Sequence, residues 1–127
     1  MTARRTPSTG ANLRILVVED EYLIATEIAH ALEDMGHLVV GPAPTIAQAL
    51  ALIASEAIDC AFLDANLRGT SSALIATELA ARSIPFFVVT GYGNLKLESD
   101  ELDAAPRVHK PLSAGDLADA LAGAFAG

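Results

Sequence analysis

The stretch Cys60–Gly69, CAFLDANLRG, sets the tightest limit on how this chain can fold. Cys60, Ala61, Phe62 and Leu63 form an unbroken apolar run that stops on Asp64, and Asn66, Arg68 and Gly69 then supply turn chemistry. An apolar run of that length bounded by turn residues reads as a buried strand. Its last residue is a carboxylate, which places that carboxylate at the rim of a sheet. In open α/β sheets the rim is where ligands bind. Asp64 is therefore the candidate nucleophile, and acceptance of a phosphoryl group is the candidate reaction.

The rest of the chain repeats this punctuation. Leu13–Val18 is a strand candidate rich in β-branched residues, and Glu19, Asp20 and Glu21 follow at once. Tyr22–Met35 places Ile24, Ile28, Ala31 with Leu32, and Met35 at helical spacing, with Gly36 as the stop. Leu38–Val40 is a second strand closed by Gly41-Pro42; Thr45 caps a helix whose apolar face holds Ile46, Ala49, Leu50 and Ile53. The strand ending at Asp64 is third. Ser71 or Ser72 opens a helix with Leu74, Ile75, Leu79 and Ala80 on its inner side, broken by Ile84-Pro85. Phe86–Thr90 is the fourth strand, Gly91–Asn94 a mobile loop by composition, and Leu95–Ala105 a short or frayed acidic helix. Arg107–His109 is a brief fifth strand ended by Lys110-Pro111. Ser113 and Asp116 form a capping pair for a last helix that buries Leu117, Ala120, Leu121, Ala124 and Phe125.

Strands alternating with helices imply right-handed crossovers and a parallel sheet covered on both faces. The expected fold is a doubly wound α/β domain over residues 13–127, preceded by a flexible tail, Met1–Asn12. A length of 127 residues fits one such domain. The net charge of -8 argues against sequence-independent nucleic-acid binding, and no apolar run approaches a membrane span. Cys60 is the only cysteine, so no intrachain disulfide can form, and a cytoplasmic setting is expected.

Parallel strands all end on one side of the sheet, so Glu19-Asp20, Asp64, Thr90 and Lys110 can converge. Each alone has a bland reading: an acidic pair suits a helix N-terminus, and Lys-Pro suits a surface turn. Together they divide one task. Gathered carboxylates repel, and a proton or a cation must relieve them. An all-oxygen site suits Mg²⁺, or Mn²⁺, with Asp20 and Asp64 as direct ligands, Glu19 through water, and the backbone carbonyl of Asn66 completing the shell. Lys110 and the Thr90 hydroxyl can then hold the remaining phosphoryl oxygens.

At this point the chain resembles the receiver domain of the two-component response-regulator family. The matching elements are VVEDE (Glu19, Asp20), FLDANL (Asp64), VVTGYG (Thr90) and HKPL (Lys110-Pro111), and the likeness runs from Leu13 to about Phe125. It implies a flavodoxin-like five-stranded sheet of order 2-1-3-4-5, Asp64 as phosphoacceptor, and the Mg²⁺ ligands just named. It further implies a sensor histidine kinase or phosphotransfer protein as donor. Rather than a turnover enzyme, such a chain is a switch that gains and loses its own phosphoryl group. IPFFVVTGYGN, with DANLRG and HKP, is similar to the single-domain receivers called the FAT GUY group. Little follows Phe125, so output is expected through a protein partner, or by draining phosphate from a kinase.

Two departures from the family pattern stand out. Arg107 occupies the place, three before the lysine, where these domains carry an aromatic residue that couples to the threonine. Tyr92 is the candidate substitute, as a switch residue and as a shield of the phosphoryl group. The loop after Asp64 also lacks the family's common proline. A haloacid-dehalogenase-type phosphatase is the competing enzyme reading, but its nucleophile ends the first strand and is paired with a second aspartate. Here the nucleophile candidate ends the third strand, and position 66 is Asn.

Overall fold

The computed structural model describes residues 12–91, 100–110 and 112–125. The expected tail, apart from Asn12, lies outside them, as do Tyr92 and Pro111. Five strands form a parallel sheet: β1 (Arg14–Val18), β2 (Leu38–Ala43), β3 (Cys60–Asp64), β6 (Phe86–Thr90) and β7 (Arg107–His109), in the order β2-β1-β3-β6-β7. A separate antiparallel hairpin, β4 (Asn66–Leu67) and β5 (Thr70–Ser71), follows Asp64. With that hairpin set aside, the order is the 2-1-3-4-5 that the resemblance implies.

Strand residues alternate between two cores, as the two-residue period of a strand requires. Leu16, Val18, Ala61, Leu63 and Val88 face α2 (Ile46–Ser55), α3 (Ala73–Ala81) and α4 (Asp100–Ala104). Ile15, Val17, Phe62, Phe87 and Val89 face α1 (Tyr22–Asp34) and α5 (Ala114–Phe125). Phe62 and Phe87, paired across β3 and β6, stack with ring centroids 5.0 Å apart. The caps form as their residue types dictate. Thr45 accepts from the Gln48 N–H, and Ser113 and Asp116 exchange hydrogen bonds of 3.0 and 3.1 Å.

Three local expectations are corrected. Leu74 and Ala80 are exposed, not inward. The buried stripe of α3 is Ile75, Ala76 and Leu79, which turns Leu74 almost to the opposite side. Ala124 of α5 is exposed as well, because Leu117 and Leu121 carry that helix's contact with the sheet. The second strand does not close at Gly41-Pro42 but continues to Ala43.

That continuation shapes the site. Between the pairs Leu16↔Val40 and Val18↔Ala43, β2 holds one more residue than β1. This is a bulge, and Gly41 makes it possible with a left-handed φ of +98°. Beyond the bulge, the Ala43 carbonyl accepts the Glu19 N–H at 3.1 Å. A β-carbon on Gly41 would lie 2.8 Å from the Ala43 nitrogen and 3.2 Å from the Val17 carbonyl oxygen.

Gly36 has a similar φ of +95° but open space around it. Gly36→Ala should therefore lose about 1 kcal/mol, the cost of the backbone conformation alone. Gly41→Ala should lose more than about 2 kcal/mol, because backbone atoms of two strands block the new carbon. Urea unfolding of the two variants checks the ranking; equal losses would contradict the bulge's tight packing.

Candidate functional site

Glu19, Asp20 and Glu21 leave β1 and lead into α1, with Glu21 as the N-cap residue. The Glu21 N–H donates to Glu19 Oε2 at 3.2 Å, so the loop folds back on its own first carboxylate. Asp64 ends β3 beside it. The Asn66 N–H donates to Asp64 Oδ1 at 3.1 Å. Thr90 ends β6 and is buried, and its carbonyl accepts the Lys110 N–H at 3.0 Å. That backbone bond fixes where the Lys110 side chain begins.

The Lys110 ammonium reaches inward from the end of β7. Its Nζ lies 3.4 Å from Asp64 Oδ2, 3.4 Å from Glu19 Oε1 and 3.5 Å from Glu21 Oε1. A second cation stands on the other side: Arg68 Nε is 3.6 Å from Asp20 Oδ2. Among the described residues, four carboxylates thus face two cations, which leaves two negative charges uncompensated there when all are ionised.

The protonation behaviour reflects this excess. Burial, and then the neighbouring Asp64, push the Glu19 carboxyl from 4.5 up to about 7. Burial likewise raises Asp64, against the opposing pull of the Asn66 N–H, Glu19 and Lys110. Lys110 is raised, because Asp64 and Glu19 outweigh its own burial.

One oxygen from each of Glu19, Asp20 and Asp64 lies within 4.8 Å of the others. Glu19 Oε1 is fully buried and, among the described residues, has the ion-pair approach of Lys110 Nζ at 3.4 Å but no hydrogen bond. An all-oxygen donor set, an unsatisfied buried oxygen and a local charge near minus two fit a hard divalent cation such as Mg²⁺. The cleft over these groups has a volume of about 380 Å³ and is lined by Asp20, Glu21, Asp64, Asn66, Thr90 and Lys110, among others.

The fold therefore gathers Glu19, Asp20, Asp64, Asn66, Thr90 and Lys110 at one edge. It does not bring Arg107 to them. Arg107 pairs in register with Val88 and lines a groove of about 730 Å³ between β7 and α5. Tyr92 lies outside the described residues. Sequence reasoning left two contributors without a role. Glu21 was visible as the third acid of the run, but nothing local showed that it would face Lys110. Arg68 read only as a turn residue, because its partner Asp20 is distant in the chain.

Comparison with known proteins agrees with this geometry. The family model for the response regulator receiver domain matches residues 15–122. The transcriptional regulatory protein PdtaR of Mycobacterium tuberculosis is 30% identical over 122 residues, covering 91% of this chain and 60% of that protein. The chain spans between 40% and 60% of the length of the curated relatives it matches. The solution structure of SdrG from Sphingomonas melonis is 40% identical with a TM-score of 0.77, covering 87% of this chain and 94% of that one. SdrG has also been solved in a BeF3-activated conformation. The receiver domain of sensor histidine kinase PA1611 from Pseudomonas aeruginosa, with magnesium in its active-site cleft, is 23% identical with a TM-score of 0.76. It covers 92% of this chain and all of that one, and shows the fold alone. The edge-of-sheet acids, the sheet order and the match over residues 15–122 converge: the chain belongs to the response regulator receiver domain family of two-component signalling.

Proposed function

We propose that Asp64 accepts a phosphoryl group from the phosphohistidine of a sensor histidine kinase or phosphotransfer protein. In this reading the chain is a switch or phosphate relay rather than a turnover enzyme. The observation that carries it is the shared position of Lys110 Nζ, 3.4 Å from both Asp64 and Glu19 at the carboxyl edge of the sheet. A carboxylate oxygen of Asp64 attacks phosphorus; the O–P bond forms as the donor's N–P bond breaks, and the departing imidazole nitrogen takes a proton. Lys110 would follow the charge from Asp64 onto the phosphoryl oxygens, and the Thr90 hydroxyl would hold another of them. Attack by water on phosphorus later releases phosphate and restores the carboxylate.

Asp20, Asp64 and the Asn66 carbonyl would hold Mg²⁺, with Glu19 acting through water. The ion, when bound, supplies charge neutralisation for the transferring group. Output would pass to a protein partner, or the chain would drain phosphate from a kinase, in the manner of the FAT GUY group. Thr90 and Tyr92 would carry the switch in place of the aromatic that Arg107 replaces. The described residues contain no helix long and apolar enough to cross a membrane. The cytoplasmic setting belongs to this same reading.

Acetyl phosphate with Mg²⁺ should add a single phosphate, seen by intact mass, that is absent in Asp64→Asn. Lys110→Ala should lower the rate at least about tenfold, through lost transition-state charge stabilisation. Phosphate uptake by Asp64→Asn equal to that of the parent would overturn the assignment.

Glu19 gives a second outcome. The unfolded chain releases this proton near its ordinary value of 4.5, and the folded chain keeps it to about 7. The contribution of Glu19 to stability is therefore full below pH 4.5 and lost as pH rises through about 7. Compared with Glu19→Gln, the metal-free protein should lose stability between pH 5 and pH 8, and Mg²⁺ should restore more at pH 8 than at pH 5. Parallel stability profiles for the two proteins would contradict it.

A further inference from the structure

The hairpin after Asp64 carries a residue that its own turn disfavours. Arg68 and Gly69 form its two-residue tip with φ of +52° and +83°. Both central residues of such a turn must be left-handed, which suits Asn, Asp or Gly at the first place and costs any other side chain. Gly69 is spent on the second place, and arginine stands at the first.

The hairpin around it is firmly tied. The Gly69 N–H donates to Asn66 Oδ1 at 2.7 Å. The Ser72 N–H and hydroxyl both donate to the Ala65 carbonyl at 3.1 Å. Asn66 in turn donates its N–H to Asp64. The tip is thus held in fixed relation to the phosphoacceptor, and the left-handed backbone delivers the Arg68 guanidinium to Asp20, 3.6 Å away.

The two ends of this ion pair differ. The Arg68 side chain is 76% exposed, and that of Asp20 only 14%. Lys110 pairs with Glu19, Glu21 and Asp64, so among the described residues Arg68 is the cation that stands beside Asp20. Asp20 contributes an oxygen to the acidic trio that fits a divalent ion.

We propose that Arg68 is a displaceable stand-in cation, which occupies Asp20 in the metal-free protein and must leave before Mg²⁺ takes that carboxylate. The inference rests on the reading of the site as a Mg²⁺ site. Its exposed guanidinium lets Arg68 go at little cost, and its pairing with Asp20 weakens Mg²⁺ binding. Arg68 is a positioning residue in this scheme and touches no reacting atom.

Calorimetric titration of Mg²⁺ into the unphosphorylated full chain tests it. Arg68→Asn keeps a residue that tolerates the left-handed turn and removes the cation, so it should tighten Mg²⁺ binding about two- to fivefold, the range of an exposed ion pair. Arg68→Lys keeps the charge and the turn's cost, so it should bind like the parent. Arg82→Gln, which removes an exposed arginine paired to Glu78 on α3's far end, controls for net charge and should also bind like the parent. Equal tightening in Arg68→Asn and Arg68→Lys would show that the positive charge at this position does not hold Mg²⁺ off and would overturn the proposal. No tightening in Arg68→Asn, with normal binding by the parent, would overturn it while leaving the Mg²⁺ site intact. No Mg²⁺ binding by the parent would overturn the site reading and the proposal with it.

Discussion

Like charge held at short range is the condition around which this molecule is arranged. Two carboxylates about 4 Å apart repel by roughly 4 kcal/mol at an effective dielectric near 20. The sheet nevertheless brings Glu19, Asp20 and Asp64 together and buries Glu19 almost completely. Such a cluster persists only with compensation. In the metal-free protein that comes from Lys110, from Arg68 and from a proton retained on Glu19. Each is a partial answer, and the buried Glu19 oxygen without a hydrogen bond marks what they leave unmet.

The fold supplies the rigidity that this arrangement demands. Adjacent parallel strands end at neighbouring heights, so the residues just after β1 and β7 and the last residues of β3 and β6 meet at one edge. Backbone bonds then fix the details. Glu19 is tied to β2 through the Ala43 carbonyl, and Lys110 to β6 through the Thr90 carbonyl. The stacked Phe62 and Phe87 lie beneath this edge, in the core shared with α1 and α5. A phosphoryl group arriving at Asp64 would meet groups that need little reorganisation, which is the economical way to stabilise transferred charge.

Much of this was legible in the residues themselves. Apolar runs that stop on Asp64 and on Thr90 betray strands whose ends carry chemistry, and the alternation of strands with helical periods implies the parallel sheet. The resemblance to receiver domains added the strand order, which period and propensity do not contain. What escaped was chiefly short or long-range. The hairpin at Asn66–Ser71 has strands of two residues, too brief for any period to register. The bulge at Gly41 looked like a strand end because glycine and proline punctuate most chains, and only the pairing with β1 shows that the strand continues. Hydrophobicity alone puts Leu74 inward, whereas helix geometry turns it outward once Ile75 and Leu79 are buried. The ion pair of Arg68 with Asp20 joins residues that only the folded sheet brings near.

The identity of the acceptor is open to direct chemical capture. Borohydride reduces an aspartyl phosphate to homoserine, so the phosphorylated protein can be trapped, digested and read by peptide mass spectrometry. The account predicts homoserine at position 64 and nowhere else. Homoserine at position 20, or a phosphate that survives the treatment on another side chain while Asp64 stays unmodified, would contradict it.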